Sequence, residues 1–396
     1  MQLADRLNRI SEPQTIKMAK LGRELRSQGK NIIDLSLGEP DFITPGHIRI
    51  AATEAMNGGY TKYTPVVGLP DLRTAISQKL KRDNGLDYGI DEIIVSTGAK
   101  QCLANAILSI INPGDEVIIP TPYWVTYSAL VDLAEGDVTF INCTIDSDFK
   151  LTQDKLEAAI SEKTKMFIFS SPCNPTGSVY SKAELAGLAE VFKQYPNCVI
   201  VSDEIYEYIN YTGKHESIAQ FPELRNRVLV INGLSKGFAM TGWRLGYMAG
   251  PKEVVQACEK LQGQFTSGTN SITQRAAITA LTADLGPTKE MVKAFRERRD
   301  FVIGELKNMP GININMPEGA FYAFPNISAF FGQSDGETTV NNDEDFSMYL
   351  LHKANVTTVY GSAFGNSNCI RISFATSMQN LEEAMNRIRT ALSQLK

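Results

Sequence analysis

One lysine carries the clearest chemistry in this chain. Lys236 stands in Asn232-Gly233-Leu234-Ser235-Lys236-Gly237-Phe238-Ala239-Met240-Thr241-Gly242-Trp243-Arg244, among small and apolar residues, with a hydroxyl before it and an arginine after it. An amine attacks carbonyls only when deprotonated, and burial near other cations lowers its pKa toward that state. Such a lysine can hold an aldehyde cofactor as a Schiff base. Ser235 and Arg244 are the group types that hold a phosphate on that cofactor, the arginine as a bidentate fork. By itself the stretch also reads as a Gly-rich turn with a solvated lysine.

Three other segments bear on that choice. In Val199-Ile200-Val201-Ser202-Asp203-Glu204-Ile205-Tyr206 a β-branched run reads as a buried parallel strand, with Asp203 where it ends. Ligands of open α/β sheets bind beyond the carboxyl ends of strands, and an Asp there can pair with a protonated pyridine nitrogen, keeping the ring an electron sink. The alternative is that Asp203 caps the next segment. Ile93-Ile94-Val95-Ser96-Thr97-Gly98-Ala99-Lys100-Gln101, followed by a helical pattern, brings backbone N–H groups and a helix dipole to a glycine turn, which suits a phosphate. It is not a G-x-x-x-x-G-K-[ST] loop, so a nucleoside triphosphate is not indicated. In Ser170-Ser171-Pro172-Cys173-Asn174-Pro175-Thr176-Gly177 two prolines stiffen a turn at another strand end and position the Asn174 amide to donate to a phenolate oxygen, although an Asn-Pro pair alone is an ordinary turn.

Together, in this order, the four segments resemble those of fold-type I pyridoxal-phosphate aminotransferases of class I/II, and most closely the bacterial subgroup Ib aspartate aminotransferases. The resemblance covers residues 35–377. It implies Lys236 as the Schiff-base lysine and Asp203 as partner of the pyridine nitrogen. Asn174 and Tyr206 would contact the ring hydroxyl. Ser235, Arg244 and the backbone of Gly98, Ala99 and Lys100 would bind the phosphate. Trp124, in Thr121-Pro122-Tyr123-Trp124, would stack on the ring, where its own alternative is a core tryptophan. Tyr63 resembles the tyrosine that reaches the neighbouring subunit's phosphate, which implies a homodimer with shared active sites.

The resemblance also supplies a substrate side. Arg371, in the alternating stretch Asn368-Cys369-Ile370-Arg371-Ile372-Ser373-Phe374, matches the binder of the substrate α-carboxylate; a lone strand arginine otherwise reads as a surface ion pair. Gly38, in Ser36-Leu37-Gly38-Glu39-Pro40-Asp41-Phe42, matches the glycine that lets the backbone approach that carboxylate. Other aspartate aminotransferases bind the distal carboxylate with an arginine lent by the partner, but the matching loop Gln264-Phe265-Thr266-Ser267-Gly268-Thr269-Asn270 has none. Lys100 resembles the subgroup Ib lysine with that task, against the alternative of a solvated helix-start lysine. Relatives that transaminate prephenate tend to carry a basic residue where this chain reads Ser11-Glu12-Pro13-Gln14, which lowers that option. The implied activity is transamination through a ping-pong cycle, with L-aspartate and 2-oxoglutarate first and other amino acids, or a β-lyase or decarboxylase of the same fold, as alternatives. A cofactor-sensing transcription regulator would need an N-terminal DNA-binding extension, for which the roughly 45 residues before the family core are too few.

These residues need a frame to hold them. Strand-like runs alternate with helical patterns over residues 70–280, the signature of a mostly parallel sheet with helices on both faces. Helices are expected at 182–192 and 252–261. After Leu285-Gly286-Pro287 the character changes to a long charged helix at 288–306, short strands near 321–324 and 369–374, and a last helix at 380–395. The expected division is a large cofactor-binding domain, 46–284, and a smaller α+β domain of 1–45 with 285–396. Polar stretches within 332–345 read as a mobile surface insertion.

At 396 residues, 43% hydrophobic and 21% charged, the chain can bury a large core. Its net charge of −5 argues against nucleic acid or a membrane surface as partner, leaving small-molecule substrates. Six cysteines without a C-x-x-C pair and three histidines indicate no metal site, disulfide framework or Ser-His-Asp triad. The segment Met1 to Leu7 lacks the apolar run of a signal peptide, and no stretch is apolar enough to span a bilayer. A reducing cytoplasm is the expected compartment.

Overall fold

The computed structural model describes residues 4–396; the first three residues of the segment read for a signal peptide, and of the expected small domain, lie outside the described residues. Seven strands form the central sheet, in the order Ile93–Ser96, Gly246–Ala249, Val228–Gly233, Val199–Asp203, Thr164–Ser170, Glu116–Thr121 and Asp137–Asn142. All pairings are parallel except those of Gly246–Ala249, which runs antiparallel to both neighbours. The expected mostly parallel sheet is present.

The strands are apolar throughout because both faces are covered. Alternate residues divide between two cores, as the pleat requires. Ile93, Val95, Phe167, Phe169, Ile200, Val228 and Val230 face helices Pro70–Lys79, Lys182–Lys193 and Ser271–Thr282. Ile94, Met166, Ile168, Val201, Leu229 and Ile231 face helices Ala99–Ile110, Thr126–Leu133 and Lys252–Phe265. The same alternation sends Asp203 and Glu204 to opposite sides of the sheet.

A separate core gathers Ile33, Leu35 and residues between Met291 and Leu395, with Tyr206, Ile209 and Tyr211 reaching into it. It holds helix Gly286–Lys307, with Pro287 in its first turn, and helix Met378–Leu392, capped by the Ser377 hydroxyl. A small antiparallel sheet pairs Val359–Tyr360 with Ile370–Ser373 and that strand with Tyr322–Ala323. The 332–345 region is more organised than its composition indicates. Ser334 and Thr339 bridge, Lys353 pairs with Asp335 and Glu337, and the Ser334 and Lys396 backbones exchange hydrogen bonds.

Candidate active site

The strand ends and the second core enclose a cavity of about 300 Å³. Its walls bring together Gly38, Ala99, Lys100, Trp124, Asn174, Asp203, Tyr206, Ser235, Lys236, Arg244 and Arg371, drawn from segments more than 300 residues apart. Gly98 stands directly before the helix start at Ala99. Tyr63 is not among them: it is 98% exposed on this chain.

Lys236 follows the end of strand Val228–Gly233 and donates its Nζ to the Gly38 carbonyl. Burial, then the charge of Arg371, brings its pKa down to about 8, with Arg244 adding to the effect and Glu39 and Asp203 opposing it. A half-buried, cation-flanked lysine of this kind suits carbonyl chemistry. Gly38 leaves room for the Tyr322 hydroxyl, which would lie 2.9 Å from a Cβ at that position.

Asp203 is buried at the end of its strand. Burial pushes its carboxyl up to about 6; the Tyr127 hydroxyl, donating to Oδ2 at 2.6 Å, and the Ile205 N–H, donating to Oδ1 at 3.2 Å, pull it back. The capping alternative is therefore realised too, but it occupies only one oxygen. A cation placed against this carboxylate would regain much of what desolvation costs it.

The end of the cavity beside Arg244 is built on backbone. Gly98 has φ 86° and precedes the helix, whose geometry leaves the N–H groups of Ala99 and Lys100 without intrahelical acceptors. A Cβ on Gly98 would meet Arg244 Nη2 at 2.5 Å, and one on Gly246 would meet Ala99 N at 2.2 Å, so both glycines permit the close packing of arginine, helix start and strand. Arg244 itself has φ 56°, and its Nη1 donates to the Thr241 carbonyl at 2.8 Å. Ser235 lines the same end.

Arg371 is 2% exposed and forms no ion pair among the described residues. Its Nη1 donates to Asn174 Oδ1 at 3.1 Å and its Nη2 to the Ser36 carbonyl at 2.6 Å, while its Nε has no partner. The surface-ion-pair alternative fails here. A buried guanidinium whose hydrogen-bond partners are neutral has the chemistry to take a carboxylate. Lys100 extends into the cavity with Nζ 5.0 Å from the Trp124 ring centre, and burial, then Arg244, lowers its pKa.

Several cavity residues escaped the sequence reading. Tyr127, in the first turn of helix Thr126–Leu133, lies three residues after Trp124 and packs edge-on against its ring at 5.6 Å, and that closeness in sequence is a usable signal. Tyr322 hydrogen-bonds Tyr206 at 2.8 Å and lies under the Arg371 guanidinium, 4.5 Å from ring centre to carbon. Glu39, which accepts from the Thr241 hydroxyl at 3.0 Å, and the arm residues Pro13, Thr15 and Ile16 also line it.

A lysine of lowered pKa at the carboxyl ends of a mostly parallel sheet, between a helix start and a buried arginine, is an arrangement suited to amine–carbonyl chemistry on an anionic substrate. The chain belongs to the class I and II aminotransferases, matching that family over residues 30–388, and members of the family use pyridoxal phosphate. It is 45% identical over 401 residues to a bifunctional aspartate aminotransferase and glutamate/aspartate-prephenate aminotransferase of Petunia hybrida, covering 100% of this chain and 84% of the relative. It is 45% identical over 397 residues to the aspartate/prephenate aminotransferase of Nitrosomonas europaea, covering 99% and 100%. Among solved structures it is similar to the aspartate aminotransferase of Rhizobium meliloti, with a TM-score of 0.97 and 44% identity, covering 100% of both chains. The Thermus thermophilus aspartate aminotransferase with maleate has a TM-score of 0.93 at 36% identity, covering 99% of this chain and 100% of the other. The fold is fold-type I, and the chain is an aminotransferase. No helix among the described residues is long and apolar enough to cross a membrane.

Proposed function

We propose that this enzyme transaminates L-aspartate with 2-oxoglutarate, using pyridoxal phosphate held by Lys236. The observation that carries the reading is that the lowered Lys236 amine and the unpaired, buried Arg371 guanidinium open into one cavity. The residues fit the cofactor. Arg244, Ser235 and the Gly98–Lys100 backbone suit its phosphate, Asp203 its pyridine nitrogen, Asn174 and Tyr206 its ring hydroxyl, and Trp124 its ring face.

When bound, the cofactor supplies an aldehyde that takes over the amino group and a ring that accepts the electron pair left at the α-carbon. The protein does the rest. Arg371 grips the α-carboxylate, and its bond to Asn174 ties substrate position to ring position. Lys236 Nζ would take the α-proton of the bound amino acid and would return it on the far side of the nitrogen, two atoms along; a single tethered base serves both atoms. Lys100 meets the distal carboxylate of a dicarboxylic substrate, where the partner loop 264–270 offers no arginine.

The same reading has two copies sharing active sites, with Tyr63 of each chain crossing to the other's phosphate, and two domains, 46–284 and 1–45 with 285–396. All six cysteines are free and buried, which suits a reducing cytoplasm. An amino-donor panel with 2-oxoglutarate as acceptor tests substrate choice. Aspartate should lead, and faster turnover of alanine or phenylalanine would contradict the reading. Prephenate remains a second acceptor to test, because the Nitrosomonas relative is named for both substrates.

A further inference from the structure

The turn that presents Asp203 and Tyr206 to the cavity hides a second charged group behind it. Glu204, next to Asp203 but on the opposite side of the sheet, is buried with three donors on its carboxylate. These are His215 Nε2 at 2.8 Å, the Ser217 hydroxyl at 2.6 Å and the Ser202 hydroxyl at 2.9 Å. His215 Nδ1 is buried and unpartnered. Donor atoms of Glu204, Glu207 and His215 lie within 4.8 Å of one another. They do not need a metal ion: Lys79, fully buried at the end of helix Pro70–Lys79, already pairs with Glu207, and Asn84 donates to the same carboxylate at 3.0 Å.

Between the two halves of this pair the chain makes an excursion to the other core. The Ala320 N–H donates to the Ile209 carbonyl at 2.8 Å, the Tyr211 N–H to the Glu318 carbonyl at 2.7 Å, and the Tyr211 hydroxyl to the Ala320 carbonyl at 2.6 Å. Two residues beyond Ala320 is Tyr322, the partner of Tyr206. Residues 203–217 thus form a loop pinned at its far end to the segment carrying Tyr322 and closed at its base by His215 on Glu204.

We propose that His215, held beside Glu204, is a positioning residue: it closes the 203–217 loop and so keeps Asp203 and Tyr206 in place beneath the cofactor. The inference rests on the roles of Asp203 and Tyr206 in the proposed function. Burial works against the imidazolium, but the charge and hydrogen bond of Glu204, then Glu207, outweigh it, so His215 titrates above its ordinary value, with Lys79 opposing. Burial likewise disfavours the Glu204 carboxylate, and His215, Ser217 and Ser202 bring it below its ordinary value. Near Glu204, Tyr88 and Tyr247 are held well above the neutral range by burial and stay uncharged, while Asp203, its carboxyl pushed up to about 6 mainly by burial, is raised further by the Glu204 charge. The latch is therefore complete below the ordinary histidine range and is lost as pH rises through the raised value of His215, leaving Glu204 buried without its cation.

The test uses holoenzyme and hydrogen–deuterium exchange of the 203–211 amides across pH, beside kcat and KM for aspartate. In the wild type, protection of these amides should fall as pH rises through the His215 titration, about tenfold for each unit by which that group is raised. His215→Gln keeps a donor that does not titrate and should flatten this dependence. His215→Ala should lose protection at every pH, and kcat should fall with it while KM changes little. Leu188→Ala, a core truncation in a helix that contributes nothing to the cavity wall, controls for lost stability and should show neither effect. Equal protection of 203–211 in His215→Ala and Leu188→Ala at all pH values would overturn the latch. Asp203→Asn is measured alongside: full activity there would overturn the role of Asp203 itself, whereas lost activity there with unchanged exchange in His215→Ala overturns the latch alone.

Discussion

The Tyr127 hydroxyl donates to Asp203 Oδ2 at 2.6 Å, joining helix Thr126–Leu133 to the strand end on the cavity wall. Asp203 is buried enough to titrate near pH 6, and the tyrosine is one of the few groups keeping it ionised. A pyridinium nitrogen needs that carboxylate charged. Cofactor affinity should therefore weaken as pH falls through about 6. Tyr127→Phe removes a hydrogen bond to a charged group, a loss of about 1.5–3 kcal/mol. Spectrophotometric titration of the apoenzyme with pyridoxal phosphate should show affinity lost at a higher pH than in the wild type. An unshifted pH profile would show that the contact does not govern Asp203.

Lys236 gives a second pH dependence, of opposite origin. Its amine, brought to about 8, is protonated below that pH and nucleophilic above it. The rate at which apoenzyme captures the aldehyde, followed by stopped-flow absorbance, should rise through about pH 8 and then level. For stability the sign is the same. A lysine whose pKa is lowered by folding costs stability while the unfolded chain binds its proton more tightly, and the cost shrinks as pH rises from 8 toward 10.5. A capture rate independent of pH between 7 and 9 would contradict the account.

Lys100 should discriminate between substrates rather than between cofactor states. It lines the cavity with an exposed side chain, and no carboxylate is paired to it among the described residues. Lys100→Ala should cost about 1.5–3 kcal/mol in kcat/KM for aspartate, roughly 10- to 200-fold, and far less for alanine or phenylalanine. Equal losses for all donors would mean that Lys100 only shapes the phosphate turn.

Tyr63 is a large side chain left almost wholly in water by its own chain. If it serves a partner's phosphate, the active species is a dimer and Tyr63→Phe should weaken cofactor retention. Sedimentation of enzyme at working concentration should find a dimer. A catalytically competent monomer would rule out the shared site.

Much of this site was readable from local pattern. Asp203 stood out because β-branched residues before it read as a buried strand, and Gly98 because a strand, a turn and a helix start met there. What was not readable depended on partners distant in the chain. Tyr322 reaches Tyr206 and Arg371 only because Ser373 pairs with Tyr322 across an antiparallel register. Glu204 meets His215 through an irregular loop that has no periodicity to read. The 332–345 stretch looked like a mobile insertion from composition, and its order comes from Lys353 and Lys396, which composition cannot connect to it.

The central claim is that Lys236 is the residue that holds the cofactor and moves the proton. Borohydride reduction of the holoenzyme followed by peptide mapping tests it most directly. The account predicts the reduced pyridoxyl group on Lys236 alone, and a Lys236→Ala protein that binds cofactor through its phosphate but turns over almost no aspartate. A pyridoxyl group found on another lysine, or normal turnover by Lys236→Ala, would contradict it.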